Sequence, residues 1–353
     1  MPGSLCLMRF KPGEFLYNSM LLISHPHKRK ALRLLLALLG ATLLCGPGRA
    51  SPPVNFLYTG SDDLAGIKKL LERADIAGVQ IVYNWKDLET GKDRYDFSQI
   101  EKDLEFLGRL KKKLFIQVQD RFFSPEARNV PRYLQEEPAF GGGLAPQADN
   151  PGEDLPAGSG WVAQQWNPQV RSRYQKLLRA LGKQFDGRVY GVNLPETSAD
   201  LDLKNDKTGF SCDKYFSAEL ENIKAAKKAF KKSYVVQYVN FWPCEWENDH
   251  NYMGRTFEFA AKNSIGLGGP DIVPGKKEQM KNSYPFFNRY KGKLPLVAMA
   301  VQEPTLTYTN PKTKKPFTKE EFSEFAENYL GVKIIFWSIA SPWLAGSGEA
   351  VVR

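Results

Sequence analysis

The feature that most constrains this chain is a regular alternation. Short runs rich in Val, Ile, Leu, Tyr and Phe recur at 54–58, 79–83, 114–118, 189–194, 234–239, 265–267, 296–301 and 333–337. Between them the apolar residues take helical spacing, near 62–74, 98–110, 168–182, 214–230, 252–263, 276–289 and 318–329. The 3.6-residue period is plain in Lys68-Lys69-Leu70-Leu71-Glu72-Arg73 and in Phe322-Ser323-Glu324-Phe325-Ala326-Glu327. Ser98 and Thr318 stand at helix starts, and Glu101 and Glu321 follow at three residues, so both starts read as capping boxes. A strand that reaches its neighbour through a helix returns parallel to it, so eight strands and seven helices predict a parallel α/β sheet. About 300 residues suit closure into a single (β/α)8 TIM barrel. An open doubly wound sheet would carry a Gly-rich phosphate turn after its first strand, and this chain has none. A long irregular stretch rich in Pro and Gly, 123–166, follows strand three as a candidate lid or cleft wall, and no helical pattern follows strand eight.

The first 50 residues read differently. Lys28-Arg29-Lys30 precedes a short apolar run from Leu34 to Leu44, and Gly48-Arg49-Ala50 follows with small residues at the two cleavage positions. Basic flank, apolar core and small-x-small site are those of a secretory signal peptide. The apolar run is shorter than the roughly 20 residues that span a bilayer. Met20 is a workable start, since residues 1–19 add nothing a signal requires. The expected organisation is therefore a targeting segment over 1–50 and a barrel over 51–353, secreted or periplasmic, with no membrane association after cleavage.

That division changes the electrostatics. The formal charge is +10, but seven of the 49 basic and one of the 39 acidic residues fall in 1–50, leaving 42 against 38, or +4. Such a balance gives no case for a nucleic-acid partner. Of the three histidines, His25 and His27 lie in the leader and only His250 remains, more a loop residue than a catalyst. A site built on several imidazoles is thereby excluded, and neither metal nor cofactor is called for. Two cysteines remain, Cys212 and Cys244, either paired in an oxidising compartment or buried as thiols.

In such a barrel the reacting groups stand at the C-terminal ends of the strands. Two of those ends carry a glutamate: Glu196 after strand four and Glu303 after strand seven, on opposite sides of the cavity. Glycoside cleavage needs such a pair, one carboxylic acid to protonate the leaving oxygen and one carboxylate to attack the anomeric carbon or steer a water. The surroundings must keep one neutral and the other ionised. All seven tryptophans, Trp85, Trp161, Trp166, Trp242, Trp246, Trp337 and Trp343, fall at strand ends or in the loops after strands. Indoles there could offer flat apolar faces to sugar rings.

These residues resemble a family. Val192-Asn193-Leu194-Pro195-Glu196, Val301-Gln302-Glu303-Pro304 and Phe336-Trp337 are similar to the strand-four, strand-seven and strand-eight motifs of the retaining (β/α)8 glycosidases of clan A. That group contains cellulases, xylanases and β-galactosidases. Trp85-Lys86-Asp87-Leu88-Glu89, with Gly91 and Tyr95-Asp96-Phe97-Ser98, is similar to the element after strand two there, so the likeness extends over about residues 54–340. It implies Glu196 as general acid/base, Glu303 as nucleophile and a β-linked carbohydrate as substrate. One position departs: the family places Asn immediately before the acid/base, and here it is Pro195, so either Asn193 or Asn240 takes that place or the pair is not competent. Trp85, Trp242 and Trp337 are the candidates for ring stacking. Asn193, Asn240, Asp120, Arg121 and Asp271 are those for hydroxyls or an acidic sugar, with an Asp120–Arg121 ion pair as the structural alternative. A catalytically silent barrel that binds a glycan or a protein is the second reading, motivated by Pro195.

Overall fold

The computed structural model describes residues 52–60, 64–147, 160–302 and 310–347. Eight strands form the expected parallel sheet: β1 (Val54–Gly60), β2 (Ile76–Asn84), β3 (Lys113–Gln119), β4 (Gly191–Leu194), β5 (Tyr234–Tyr238), β6 (Gly266–Gly268), β7 (Ala298–Val301) and β8 (Ile334–Ser338). Each pairs in parallel with its sequence neighbour from β1 to β6; β8 joins both β1 and β7. Between β6 and β7 no ladder runs; the ring is closed by isolated bridges, Leu267–Val297 and Asp271–Val301, and by backbone bonds from Leu267 N to Leu296 O at 3.1 Å, Ala300 N to Gly269 O at 2.9 Å and Ile272 N to Ala300 O at 2.8 Å. Gly268 makes that seam possible, because a Cβ there would lie 1.8 Å from the Ala298 carbonyl oxygen.

Alternation along the strands sorts the core into two layers. Phe56, Phe115, Val236, Tyr238, Leu296, Ala298, Ala300, Ile334 and Phe336 fill the lumen. Phe336 meets Phe56 and Phe115 edge-on at 5.8 and 5.2 Å. The opposite faces pack beneath the helices: α1 (Lys68–Glu72), α2 (Ser98–Arg109), α3 (Pro168–Phe185), α4 (Cys212–Ala229), α5 (Tyr252–Lys262), α6 (Tyr284–Arg289) and α7 (Lys319–Phe325). Lys277–Lys281 adds a short turn before α6, and Ala326–Leu330 continues α7 as a π turn.

Two local expectations are corrected. The Thr318–Glu321 capping box forms, but the one at Ser98 does not. There Phe97 is the N-cap, Asp96 Oδ1 accepts from the Ser98 amide at 2.9 Å, and Glu101 turns away to Arg188 and Gln184. A charged partner on a neighbouring element outcompetes a backbone amide for that carboxylate. The stretch after β3 is also more regular than its composition suggests. Arg121–Phe122, Gly160–Ala163 and Leu144–Gln147 make a small antiparallel sheet, with a helical turn at Arg132–Glu136.

Candidate active site

The mouth of the barrel follows from strand parity. In β4, Gly191 faces the Phe115 ring in the lumen, so Asn193 shares that face while Val192 and Leu194 belong to the outer layer. Asn193 pairs in register with Gln117 of β3. Gln80 of β2 lies on the same inner face and accepts a hydrogen bond from Tyr238 Oη at 3.0 Å. Gln80 Nε2, Gln117 Oε1 and Asn193 Oδ1 are buried without hydrogen-bond partners, while Asn193 Nδ2 donates to Leu194 O at 3.0 Å. Three amides with unspent donor or acceptor capacity are unusual inside a lumen and mark it as a place for polar ligand groups. By the same alternation half-buried Gln119, Asn240 and Gln302 rim the opening, and half-buried Tyr58 packs on the inner cluster. Tyr58, Gln117, Gln119 and Gln302 are thus further candidates, marked in the sequence by their even spacing from Phe56, Phe115 and Ala300.

Glu196 sits half-buried two residues past the end of β4. Burial pushes its carboxyl above the usual range, against hydrogen bonds from Asn240 and Ser198 and the charge of Arg121. Asn240 Nδ2 donates to Glu196 Oε2 at 3.3 Å, so Asn240, not Asn193, stands beside the carboxylate. Thr197, itself buried, clamps the loop to β5. Its amide donates to Tyr238 O at 3.1 Å, its hydroxyl donates to Phe241 O at 2.7 Å, and Asn240 N donates back to Oγ1 at 3.3 Å. From below, Tyr215 Oη donates to Thr197 O at 3.0 Å, and Gln237 Nε2 holds Pro195 O. Asp271, after β6, is half-buried, and its charge acts on the lumen tyrosine Tyr238 together with Tyr58. Val301 and Gln302 carry β7 to the rim, and Glu303 lies outside the described residues.

Several expected ligand residues stand elsewhere. Trp85 is fully buried, packs edge-on against Tyr174 of α3 at 5.1 Å and donates Nε1 to Glu89 at 2.9 Å. Glu89 in turn holds Arg173. Trp337 is buried against Phe322 of α7 and donates to Asn55 Oδ1 at 2.9 Å. Trp242 is buried between Phe216 and Tyr215 of α4. All three indoles lie in the layer between strands and helices, where packing the largest apolar side chain gains most. Asp120 and Arg121 are likewise buried and form the ion pair, Arg121 Nε to Asp120 Oδ1 at 2.7 Å. Glu219 of α4 at 2.8 Å, the Tyr215 hydroxyl and Gln165 complete the cluster. Burial opposes the Arg121 charge, but Asp120, Tyr215 and Glu219 outweigh it and hold the guanidinium's pKa above its usual value. None of these five side chains reaches the mouth.

His250 is exposed, pairs with Asp249 through Nδ1 at 2.9 Å and stacks on Tyr252. Among the described residues no group of three His, Cys, Asp or Glu side chains is placed to hold a metal ion. No helix among them is long and apolar enough to cross a membrane. Cys212, opening α4, is bonded to Cys244 in the loop after β5, with Cα atoms 6.2 Å apart.

No family model and no curated protein sequence matches this chain. Solved structures do. The catalytic domain of β-amylase from Paenibacillus polymyxa superposes with a TM-score of 0.55 at 8% identity, covering 81% of this chain and 93% of that one. The chain shares that fold. A β-galactosidase from Bacillus circulans sp. alkalophilus gives 0.52 at 12% identity over 81% of this chain and 50% of that one. A xylanase A variant from P fluorescens subsp. cellulosa, in complex with xylopentaose, gives 0.50 at 12% identity over 85% and 90%. The resemblance to (β/α)8 glycosidases is thus met at the level of architecture.

Proposed function

We propose that this chain is a secreted glycoside hydrolase cleaving a β-linked oligo- or polysaccharide with retention. Glu196 acts as general acid/base and Glu303 as nucleophile. The observation that carries the reading is the Glu196 carboxyl: half-buried at the end of β4, raised by that burial and held by Asn240. A carboxyl held protonated above the usual carboxylate range can hand its proton to a departing glycosidic oxygen, then recover one from water as the glycosyl-enzyme breaks down. Pro195 occupies the place of the family's asparagine, and Asn240, reaching in from β5, takes over hydrogen bonding beside the carboxylate. The unpartnered amides of Gln80, Gln117 and Asn193 supply further groups for sugar hydroxyls. The disulfide fits export into an oxidising compartment with removal of residues 1–50.

The test is turnover of a panel of aryl glycosides and polysaccharides by the chain from residue 51 onward and by its Glu196→Gln and Glu303→Gln variants. Loss in both variants supports the assignment. Undiminished turnover in both would remove it, and glycan binding without turnover by the unmutated chain would favour the silent barrel.

A further inference from the structure

Beside Glu196 the loop after β5 displays an aromatic surface that packing does not explain. Trp246 is 46% exposed, and its ring lies parallel to Phe241 within 5°, centroids 6.2 Å apart. Phe241 is stacked parallel to the indole and backs it. The pair begins one residue past Asn240, which touches Glu196, and Phe241 N donates to Ser198 Oγ at 3.2 Å. Of the six large apolar side chains exposed among the described residues, four, Phe122, Phe123, Leu203 and Trp246, lie in the loops after β3, β4 and β5. Exposed apolar surface thus gathers on the Glu196 side of the mouth.

The loop holds this face rigid at a cost. Four of the eight non-glycine residues with positive φ among the described residues fall in it: Cys244, Glu247, Asn248 and Asn251. Backbone in that region persists only where surrounding contacts force it, and it concentrates at functional sites. Here the forcing contacts are the disulfide at Cys244, the Glu245 carboxylate capping the Tyr252 and Met253 amides of α5, and Asn282 Oδ1 accepting from Glu247 N at 2.8 Å. The indole is oriented as well. Trp246 hydrogen-bonds Glu247, whose carboxylate is paired with Lys281 at 2.7 Å. A fixed, exposed indole with its polar end already engaged is preorganised to receive a flat apolar partner.

We propose that Trp246, backed by Phe241, is a stacking platform for one uncharged pyranose unit of the glycan that enters beside Glu196; this rests on the function proposed above. The charge of the neighbourhood selects the uncharged sugar. Glu247 and Asp249 bond Trp246 itself and Glu245 precedes it, while the nearby cations, Lys281 and His250, are already paired with Glu247 and Asp249. A uronate would meet net negative charge.

The test separates binding from turnover. Retardation is measured in native gels containing a soluble neutral β-glucan, xylan or galactan, or polygalacturonate, with Trp246→Ala, Trp246→Phe and Phe241→Ala each placed in the Glu196→Gln background. Loss of one ring contact should weaken retention on a neutral glycan about 2- to 10-fold in Trp246→Ala, with Trp246→Phe keeping most of it. Thermal melting of Trp246→Ala should match its parent, because the indole supports no core. Equal retention of parent and Trp246→Ala, no retention of the parent by any neutral glycan, or preferential retention by polygalacturonate would each overturn the platform. Should turnover be absent while Trp246-dependent retention persists, the platform stands and hydrolysis falls; the converse removes the platform alone.

Discussion

Asn240 lends its side-chain amide to Glu196 across the seam between the β4 and β5 ends, Nδ2 to Oε2 at 3.3 Å. That bond favours the ionised carboxylate and opposes the effect of burial. Asn240→Ala should therefore raise the Glu196 pKa further and move the alkaline limb of the kcat/KM profile to higher pH. The same shift bears on stability. Below the ordinary carboxylate range, near pH 4, Glu196 is neutral folded and unfolded alike; as pH rises the unfolded form ionises first and the native state loses ground. Glu196→Gln should thus gain on the unmutated protein in urea unfolding as pH rises above the ordinary carboxylate range, and an opposite trend would contradict the raised carboxyl.

Thr197 fixes the Glu196 loop through its amide, carbonyl and hydroxyl together. Thr197→Val keeps the shape and leaves the Phe241 carbonyl without its donor. The expected loss is about 1–3 kcal/mol, read as a lower urea midpoint at constant m-value, together with reduced turnover.

Arg121 is shared by two buried acidic side chains under the site, Asp120 and Glu219. Arg121→Leu strands them and should cost about 3–5 kcal/mol. Because burial already raises the Glu219 carboxyl, part of the loss should be recovered at acidic pH. A constant deficit from pH 4 to 8 would argue against the ion pair.

The Cys212–Cys244 bond closes a separation of 32 residues between α4 and the loop after β5. Chain entropy assigns such a closure about 3–4 kcal/mol. Replacing both cysteines by alanine should lower the thermal midpoint and, in hydrogen exchange, release amides around 241–251 before those of β4.

The barrel was legible in the sequence because parallel strands are buried on both faces and read as unbroken apolar runs. All eight lie within about three residues of where the runs place them. The site was harder to read, because position at a strand end does not say which way a side chain points. Trp337 stands between inward-facing Phe336 and Ser338, and Trp85 directly follows Asn84 on the inner face of β2; each was therefore bound outward, under the helices. Counting by twos from Phe56, Phe115 and Ala300 would have exchanged those indoles for Tyr58, Gln117, Gln119 and Gln302. For Asp120 and Arg121 no local pattern was available, since their burial depends on Glu219 and Tyr215, almost a hundred residues away.

The glycine-bearing junction of β6 and β7 has a mechanical consequence. A cylinder fastened along seven sides and merely buttoned on the eighth will breathe first at the button. Heating should bare two raw strand margins there before any helix melts, and those margins are what a second molecule would zip onto. The path from warm protein to precipitate would then start at Gly268.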